Sequence, residues 1–199
     1  MSMLAVLELR AVCMILAVLA TCTSSTFAQE NLDPINVAPG ARTWRWSGQG
    51  IQVRLTHIVP DQLRGFFQAR GFKPKDTEII AAACVFQTVI RNEREGPVVI
   101  SDLKSWQVIT PETKQSLLIR EHWEQVWETR QVPKSARLAF RWAWFPTQQR
   151  FHHGDWNMGM SSYGLPPGSK FDLILNFEID GKRISGRIEN IECANPEKG

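Results

Sequence analysis

Apolar residues at every second position recur along much of the chain, and this period of two is the feature that most restricts its fold. Residues 42–47 and 49–58 alternate in this way on either side of a Ser-Gly-Gln-Gly turn. Residues 171–179 and 182–191 do so around Asp180-Gly181, a dipeptide typical of two-residue hairpin turns. Because successive side chains of a strand point to opposite faces, such segments build antiparallel sheets with one buried face. The pattern predicts two β-hairpins.

Other segments have the helical period. Residues 60–71 present apolar side chains on one face between a proline and a glycine, which predicts a short amphipathic helix. Residues 76–83 can form another helix before a β-like segment at 84–90, and this junction is ambiguous. Thr110-Pro111-Glu112 combines a capping hydroxyl, a proline and an acid, so a longer helix is predicted from there to about Arg130.

Two more segments predict strands. Residues 97–109 alternate and predict one strand, with a break near Ser101 left open. From Ala136 onward the β pattern returns, and the alternating residues are Leu138, Phe140, Trp142 and Trp144.

The predicted elements together indicate a mainly β fold. About seven strands with one or two inserted α-helices fit an antiparallel β-sandwich or a partly open barrel. This arrangement resembles immunoglobulin-like and cupredoxin-like envelope domains. The resemblance concerns the fold and implies no function.

The segment 1–28 has the composition of a secretory signal peptide. Arg10 precedes an apolar run and then small polar residues, and cleavage after Ala28 fits the small-residue rule. The run is shorter than the roughly 20 apolar residues that a membrane-spanning helix needs. An alternative is a lipobox at residues 19–22, with Cys22 carrying a lipid anchor. The mature protein is therefore expected to be periplasmic or secreted, with no transmembrane segment.

The rest of the chain is expected to form one domain. Residues 29–41 contain two prolines and no periodicity, so they predict an extended lead-in, and residues 42–195 then form a single domain. The formal net charge is +3, and acids and bases are interleaved, as in residues 91–95. Without a basic stripe, no nucleic-acid partner is expected.

Two cysteines, Cys84 and Cys193, lie beyond the predicted signal peptide. An even pair in an exported protein predicts a disulfide, and two buried free thiols are the alternative. The bridge would close a loop of roughly a hundred residues, which in the chain-entropy model is worth on the order of 4–5 kcal/mol.

Residues 151–160 concentrate side chains that can bind copper. Imidazole and thioether groups are copper ligands, and an exported protein meets copper outside the cytosol. Gly159 separates two methionines whose sulfurs can lie on the same side of an extended segment. The segment resembles the His/Met loops of periplasmic copper carriers, and the alternative is solvated histidines with methionines that complete the core. The candidate copper ligands are His152, His153, Met158, Met160 and, if its hairpin reaches the loop, His57.

Eight tryptophans are the other unusual feature of the composition. Trp44 with Trp46, and Trp142 with Trp144, recur at a two-residue spacing and would project from one face of a strand. Such pairs can form a flat platform for a sugar, although core packing explains them as well.

No catalytic constellation is found in the sequence. Residues 159–164 miss the Gly-x-Ser-x-Gly motif by one position, and Asp155 beside the histidines has no nucleophile placed near it. We therefore expect no enzyme. The leading hypothesis is an exported periplasmic binding or assembly module that holds copper or an envelope protein partner. The alternatives are a structural envelope protein without metal and a carbohydrate-binding module.

Overall fold

A computed structural model describes residues 41–195 of the chain. The predicted signal peptide at 1–28, the lipid-anchor alternative at Cys22 and the lead-in up to residue 40 lie outside the described residues. The strands are β1 (Thr43–Gly48), β2 (Ile51–His57), β3 (Val85–Asn92), β4 (Val99–Asp102), β5 (Gln107–Ile109), β6 (Lys114–Ser116), β7 (Gln148–Phe151), β8 (Trp156–Ser162), β9 (Lys170–Ile179) and β10 (Lys182–Glu192). The helices are α1 (Pro60–Gln68), α2 (Pro74–Ala81), α3 (Arg120–Thr129) and α4 (Lys134–Ala143), and Leu103–Ser105 forms a 3-10 turn.

The strands form two antiparallel sheets. The first has the order β1-β2-β3-β8. The second is built around β9, which pairs with β10 along one edge and with β4 and β5 along the other, while β7 and β6 extend it. The predicted mainly β fold is confirmed. The number of inserted helices is larger than expected, because the described residues contain four.

One apolar core lies between the two sheets. Leu55 and Phe86 from the first sheet share it with Val108 and Leu173 from the second, and all four side chains are fully buried. Because the inner face of each sheet contributes to a single cluster, the sheets pack face to face in a sandwich-like arrangement. The hairpins predicted at β1–β2 and β9–β10 are confirmed.

Trp44 and Trp46 close one side of this core, where β1 meets β10. The Trp46 ring stacks on Phe177 with 5.8 Å between centroids, and Gly186 of β10 lies against the indole. Trp44 donates a hydrogen bond from Nε1 to the Asn190 carbonyl at 3.0 Å. Both tryptophans therefore pack between the sheets, as the core-packing alternative requires.

The helix predicted from Thr110 to about Arg130 is wrong in its first half. The Thr110 hydroxyl accepts a hydrogen bond from the Thr113 amide at 3.0 Å, and the Thr113 carbonyl accepts one from the Thr110 amide at 2.9 Å. These bonds form the turn between β5 and β6, which pair with each other. The capping hydroxyl is real, but it stabilises a β-turn, and α3 begins only at Arg120.

The strand predicted from Ala136 is also wrong, because these residues form α4. Ala136, Phe140 and Trp144 recur every four residues and are buried, while Leu138 and Trp142 recur every four residues on the exposed side. The same apolar residues thus fit a period of 3.6 as well as a period of two. Alanine, leucine, lysine and arginine favour the helix. The predicted strand at 97–109 is interrupted by the 3-10 turn, which Asp102 caps.

The helices form two hairpins that repeat one backbone pattern. α1 begins at Pro60 and α3 at Arg120, and α2 begins at Pro74 and α4 at Lys134, so the second hairpin follows the first at one constant offset along the chain. The hydrogen bonds match at this offset. The first hairpin has an amide-to-carbonyl bond from Phe72 to Phe67 at 3.1 Å, and the second has one from Val132 to Trp127 at 3.0 Å.

A second apolar cluster holds the two hairpins together. Its buried residues occupy equivalent positions of the repeat: Leu63 and Trp123, Phe67 and Trp127, Phe72 and Val132, Ile80 and Phe140. Val85 of β3 belongs to the cluster and Met160 of β8 packs against it, so the hairpins cover part of the outer face of the first sheet. No helix within residues 41–195 is long and apolar enough to cross a bilayer.

The predicted disulfide between Cys84 and Cys193 is confirmed. The two Cα atoms lie 5.2 Å apart at a sequence separation of 109. The bridge joins the residue before β3, in the first sheet, to the residue after β10, in the second. It therefore links both layers of the fold covalently.

Candidate functional site

Met158 and Met160 lie on the outer face of β8. Met158 is in register with Val89 and Met160 with Gln87. Met160 also packs against the second apolar cluster, which holds the two helical hairpins together on that side. Between them, Gly159 faces the other way, and a Cβ there would lie 2.6 Å from the Phe145 amide nitrogen. Glycine is required because the Phe145 backbone, whose amide donates to the Met160 carbonyl at 2.8 Å, leaves no room for a Cβ here. The two methionines thus share one face.

His57 lies on the opposite face of the same sheet. Its register partner in β3 is Phe86, which belongs to the core between the sheets. The imidazole Nε2 accepts a hydrogen bond from the Arg42 amide at 3.0 Å, and the ring packs against Trp44 at a centroid distance of 6.0 Å. Two strand spacings, about 10 Å, also separate β2 from β8. The structure therefore does not bring His57 to Met160.

His152 and His153 lie in an exposed turn between β7 and β8. The His152 amide donates to Asp155 Oδ2 at 2.7 Å, and the Asp155 amide donates back to the His152 carbonyl at 3.1 Å. The backbone of Asn92 fixes the turn: its N–H donates to the Asp155 carbonyl at 2.9 Å, and its C=O accepts from the Gly154 amide at 2.8 Å. The turn connects β7 of the second sheet to β8 of the first.

The five candidate copper ligands therefore lie in three places: His57 on the inner face of the first sheet, His152 and His153 in the turn between β7 and β8, and Met158 with Met160 on the outer face of β8. Met160 follows the first residue of β8, Trp156, by four positions, which in a strand is roughly 13 Å from the end where the histidine turn lies. Within residues 41–195, no group of three or more His, Cys, Asp or Glu side chains is arranged to hold a metal ion. Met158 and Met160 are the two candidates that the sheet places on one face next to each other.

Ser161, from the segment compared with the nucleophile motif, belongs to a buried hydroxyl network. Its Oγ lies 2.5 Å from Thr88 Oγ1 and donates to the Tyr163 hydroxyl at 3.1 Å. All three side chains are buried, and this burial raises the pKa of Tyr163 to about 12. The partners of the serine are hydroxyl groups inside the core, so the network contributes to packing and is not placed to attack a substrate.

The predicted pairing of Trp142 with Trp144 on one face is wrong. Trp142 lies in the last turn of α4 and Trp144 directly follows the helix, and Trp144 is 2% exposed whereas Trp142 is 82% exposed. A sugar platform therefore does not form from this pair. Instead, Trp142 lies beside Leu138, which is 51% exposed, one helical turn away.

Trp142 and Leu138 line an open groove between α1 and α4, here called the α1–α4 groove. Its volume is about 540 Å³. Its lining residues are Phe66, Arg70, Ser135, Leu138, Ala139, Trp142 and Ala143. The sequence interpretation missed this surface because it treated residues 138–144 as a strand. The signal was present in the four-residue spacing of Leu138 and Trp142.

Arg70 is the charged residue among those that line the α1–α4 groove. Its guanidinium lies over the Phe66 ring, 3.4 Å from the centroid, and donates to the Phe66 carbonyl at 2.8 Å. Across residues 41–195, the ion pairs join other arginines to carboxylates and do not include Arg70. The groove thus combines apolar side chains with one cation.

A second cavity of about 310 Å³ lies at the β9–β10 hairpin and is mostly polar. Asn176, one of its lining residues, donates to the Ser105 carbonyl at 2.5 Å and accepts from the Ser185 hydroxyl at 2.7 Å. Its amide is therefore engaged within the fold.

No protein-family model matches the chain, and neither the curated proteins nor the solved structures give a match. The geometry of the described residues is therefore the basis of the functional argument.

Proposed function

We propose that this protein is an exported binding module that holds a protein partner in the α1–α4 groove and does not convert a substrate. The observation that carries the proposal is Trp142, 82% exposed, beside Leu138, 51% exposed, on one face of α4. Contiguous exposed apolar side chains mark interaction surfaces, and tryptophan is enriched among the residues that dominate binding energy.

The disulfide supports a location outside the cytosol. Disulfides persist in oxidising compartments and are rare in cytosolic proteins. The Cys84–Cys193 bridge, together with the signal-like composition of the segment 1–28, favours export to the periplasm or beyond. The proposed partner is accordingly another protein of the envelope.

Site-specific crosslinking in cells tests this function. Benzoylphenylalanine in place of Leu138 should give a discrete, light-dependent adduct with another protein, and Trp142→Ala in the same chain should weaken it. The matched control carries the photoreactive residue in place of Trp156, which is 49% exposed at the start of β8 and does not line the α1–α4 groove. Absence of an adduct at position 138, or equal adducts at both positions, would leave a structural envelope protein as the better description.

Copper binding is the second candidate function, and one observation favours it: Met158 and Met160 share the outer face of β8. Titration of the full mature protein with Cu(I) against a competing chelator tests it. The double variant Met158→Ala and Met160→Ala should abolish one-to-one binding. His57→Ala is the matched control and should leave the affinity unchanged, because His57 faces the other side of the sheet. Binding that survives the double variant would end this proposal.

A further inference from the structure

The helical repeat places two arginines in equivalent positions. Arg70 follows α1 and Arg130 follows α3, at the same offset that relates the helix starts Pro60 and Arg120. Each precedes a residue with positive φ, 90° at Gly71 and 54° at Gln131. The two arginine side chains therefore branch from equivalent points of the turn that joins the two helices of each hairpin.

The two arginines differ in what faces them. Arg130 Nε donates to Asp76 Oδ1 at 2.7 Å, and Asp76 is a buried residue of α2 in the other hairpin. At the equivalent place in α4 stands Ala136, whose Cβ lies 3.7 Å from a Cβ built on Gly71. The second hairpin thus packs beside Arg70 as the first packs beside Arg130. Ala136 supplies a methyl group at the place where Asp76 supplies a carboxylate.

Arg70 instead lies at the wall of the α1–α4 groove. Its guanidinium covers Phe66, and the rest of the lining contributes apolar, small or hydroxyl side chains and no carboxylate. A second copy of this chain docked through the same groove would bring two arginines together without an acid. An occupant with a carboxylate would restore the pairing that Arg130 has within the fold.

We propose that the α1–α4 groove recognises an amphipathic helical segment of a partner protein, whose apolar face packs on Leu138 and Trp142 and whose acidic side chain pairs with Arg70. This inference rests on the proposed partner-binding function and adds the chemistry of the partner. An amphipathic helix fits because the groove lies between two helices, where apolar residues spaced by three or four positions find matching ridges. The carboxylate would accept charge-assisted hydrogen bonds from the guanidinium.

Selection from a displayed library of helical peptides tests the inference with the full mature protein. Recovered peptides should be amphipathic and carry Asp or Glu. For the best peptide, Arg70→Gln in the protein should weaken binding about tenfold, and acid-to-amide exchange in the peptide should do the same. The two changes together should cost little more than one of them, as expected for a direct pair. Arg150→Gln and Trp156→Ala, both exposed elsewhere, should leave the affinity unchanged.

The failures are distinguishable. Peptides that lose affinity with Trp142→Ala but bind Arg70→Gln as tightly as the unchanged protein would overturn the acidic pairing and leave the partner-binding function intact. Peptides that bind the Trp142→Ala variant as tightly as the unchanged protein would overturn the inference, and so would the recovery of no peptide. The partner-binding function is tested separately, by the in-cell crosslink at position 138. Binding to phosphatidylglycerol vesicles but not to phosphatidylcholine vesicles, lost in Arg70→Gln and without any peptide ligand, would assign the surface to a membrane and overturn the inference.

Discussion

Trp46 and Gly186 are in contact where the two sheets meet at one side of the sandwich. A Cβ on Gly186 would overlap the Trp46 indole, which stacks on Phe177. The absence of a side chain in β10 therefore allows the tryptophan to seal the core. This requirement concerns space and not backbone conformation, since the φ of Gly186 is not positive.

Gly186→Ala should consequently destabilise the protein by about 1–3 kcal/mol, the usual cost of overpacking a well-filled site. Urea unfolding followed by tryptophan fluorescence measures the change. Gly65→Ala is the matched control: an added Cβ on this residue of α1 meets nothing within 4 Å. That substitution should raise stability by about 0.5–1 kcal/mol because alanine is the better helix former. Equal effects of the two substitutions would show that Trp46 moves aside without cost.

Tyr163 gives the stability a defined dependence on alkaline pH. Burial disfavours the phenolate and raises its pKa to about 12, whereas an unfolded tyrosine titrates near 10. Below about pH 10 both states are neutral and the full stability is present. Between about pH 10 and pH 12 the unfolded chain ionises first, so the free energy of unfolding should fall by up to about 3 kcal/mol.

Because Tyr163 is the single tyrosine of the chain, tyrosinate absorbance reports this group alone. The folded protein should titrate well above the urea-unfolded protein, and Tyr163→Phe should remove this part of the alkaline destabilisation. Titration of the folded protein near pH 10 would contradict the burial that the hydroxyl network implies.

Among the candidate ligands, the separation of His57 from the methionines shows which information a local pattern lacks. Alternation along β8 correctly predicts that Met158 and Met160 share a face. The face on which His57 lies depends on its register with Phe86 and on the strand order, which puts β2 two strands away from β8. Neither follows from the residues near His57, so its distance from the methionine pair could not be predicted from spacing.

At the scale of elements, α4 and the turn before β6 were misassigned for different physical reasons. In α4 the apolar residues fit a period of two as well as a period of 3.6. The contact of Phe140 with Trp127 and Trp144 in the second apolar cluster selects the helix. At Thr110, a side-chain hydroxyl can cap a helix or close a turn, and the pairing of β5 with β6 selects the turn. In both cases a tertiary contact decides between local structures of similar propensity.

The helical repeat is detectable in the sequence once the chain is compared with itself at the offset that separates Pro60 from Arg120. Arginine recurs at positions 70 and 130, and each is preceded three positions earlier by a buried aromatic residue, Phe67 or Trp127. The rest of the repeat differs in identity, since leucine and tryptophan, or isoleucine and phenylalanine, occupy equivalent sites. The two hairpins therefore share the positions at which apolar side chains are buried, and not the residues that occupy them.

The contact between the two hairpins should depend on Asp76. Asp76→Asn keeps the shape of the side chain but removes the charge that faces Arg130 at 2.7 Å. We expect a loss of about 1–3 kcal/mol, because the aspartate is buried and its hydrogen bond is charge-assisted. Thermal unfolding by circular dichroism measures it.

Glu78→Gln is the matched control for Asp76→Asn, since Glu78 also pairs with an arginine, Arg64, at 2.8 Å, but on the surface. Exposed ion pairs contribute little, so its unfolding midpoint should stay near that of the unchanged protein. If the two variants unfold alike, the Asp76–Arg130 contact is not a structural link between the hairpins.

For the whole molecule, the fold class, the terminal hairpins and the disulfide could be predicted from the sequence, because each has a short-range or compositional signal. Asp180-Gly181 marks its own turn, and Cys84 and Cys193 are the two cysteines that lie beyond the predicted signal peptide. The packing of α1 against α4 has no such signal, because it brings together residues far apart in the chain, such as Phe67 and Phe140, whose ring centroids lie 5.5 Å apart. The α1–α4 groove therefore required the structure.

The disulfide should contribute to the stability of the whole molecule more than to its shape. Removing the bridge with the double substitution Cys84→Ala and Cys193→Ala releases a loop whose ends lie at a sequence separation of 109. In the chain-entropy model this lowers the free energy of unfolding by roughly 4–5 kcal/mol, mainly because the unfolded chain gains conformations. Cys84 and Cys193 are two of the many buried residues of the core between the sheets, and the other side chains of that core remain in the variant. Near-ultraviolet circular dichroism of the tryptophans should therefore keep its folded pattern at low temperature. Urea unfolding should give a lower midpoint for the variant, and the unchanged protein in reducing buffer should match it. A loss below about 1 kcal/mol in both would mean that the unfolded chain keeps the two ends close without the bridge.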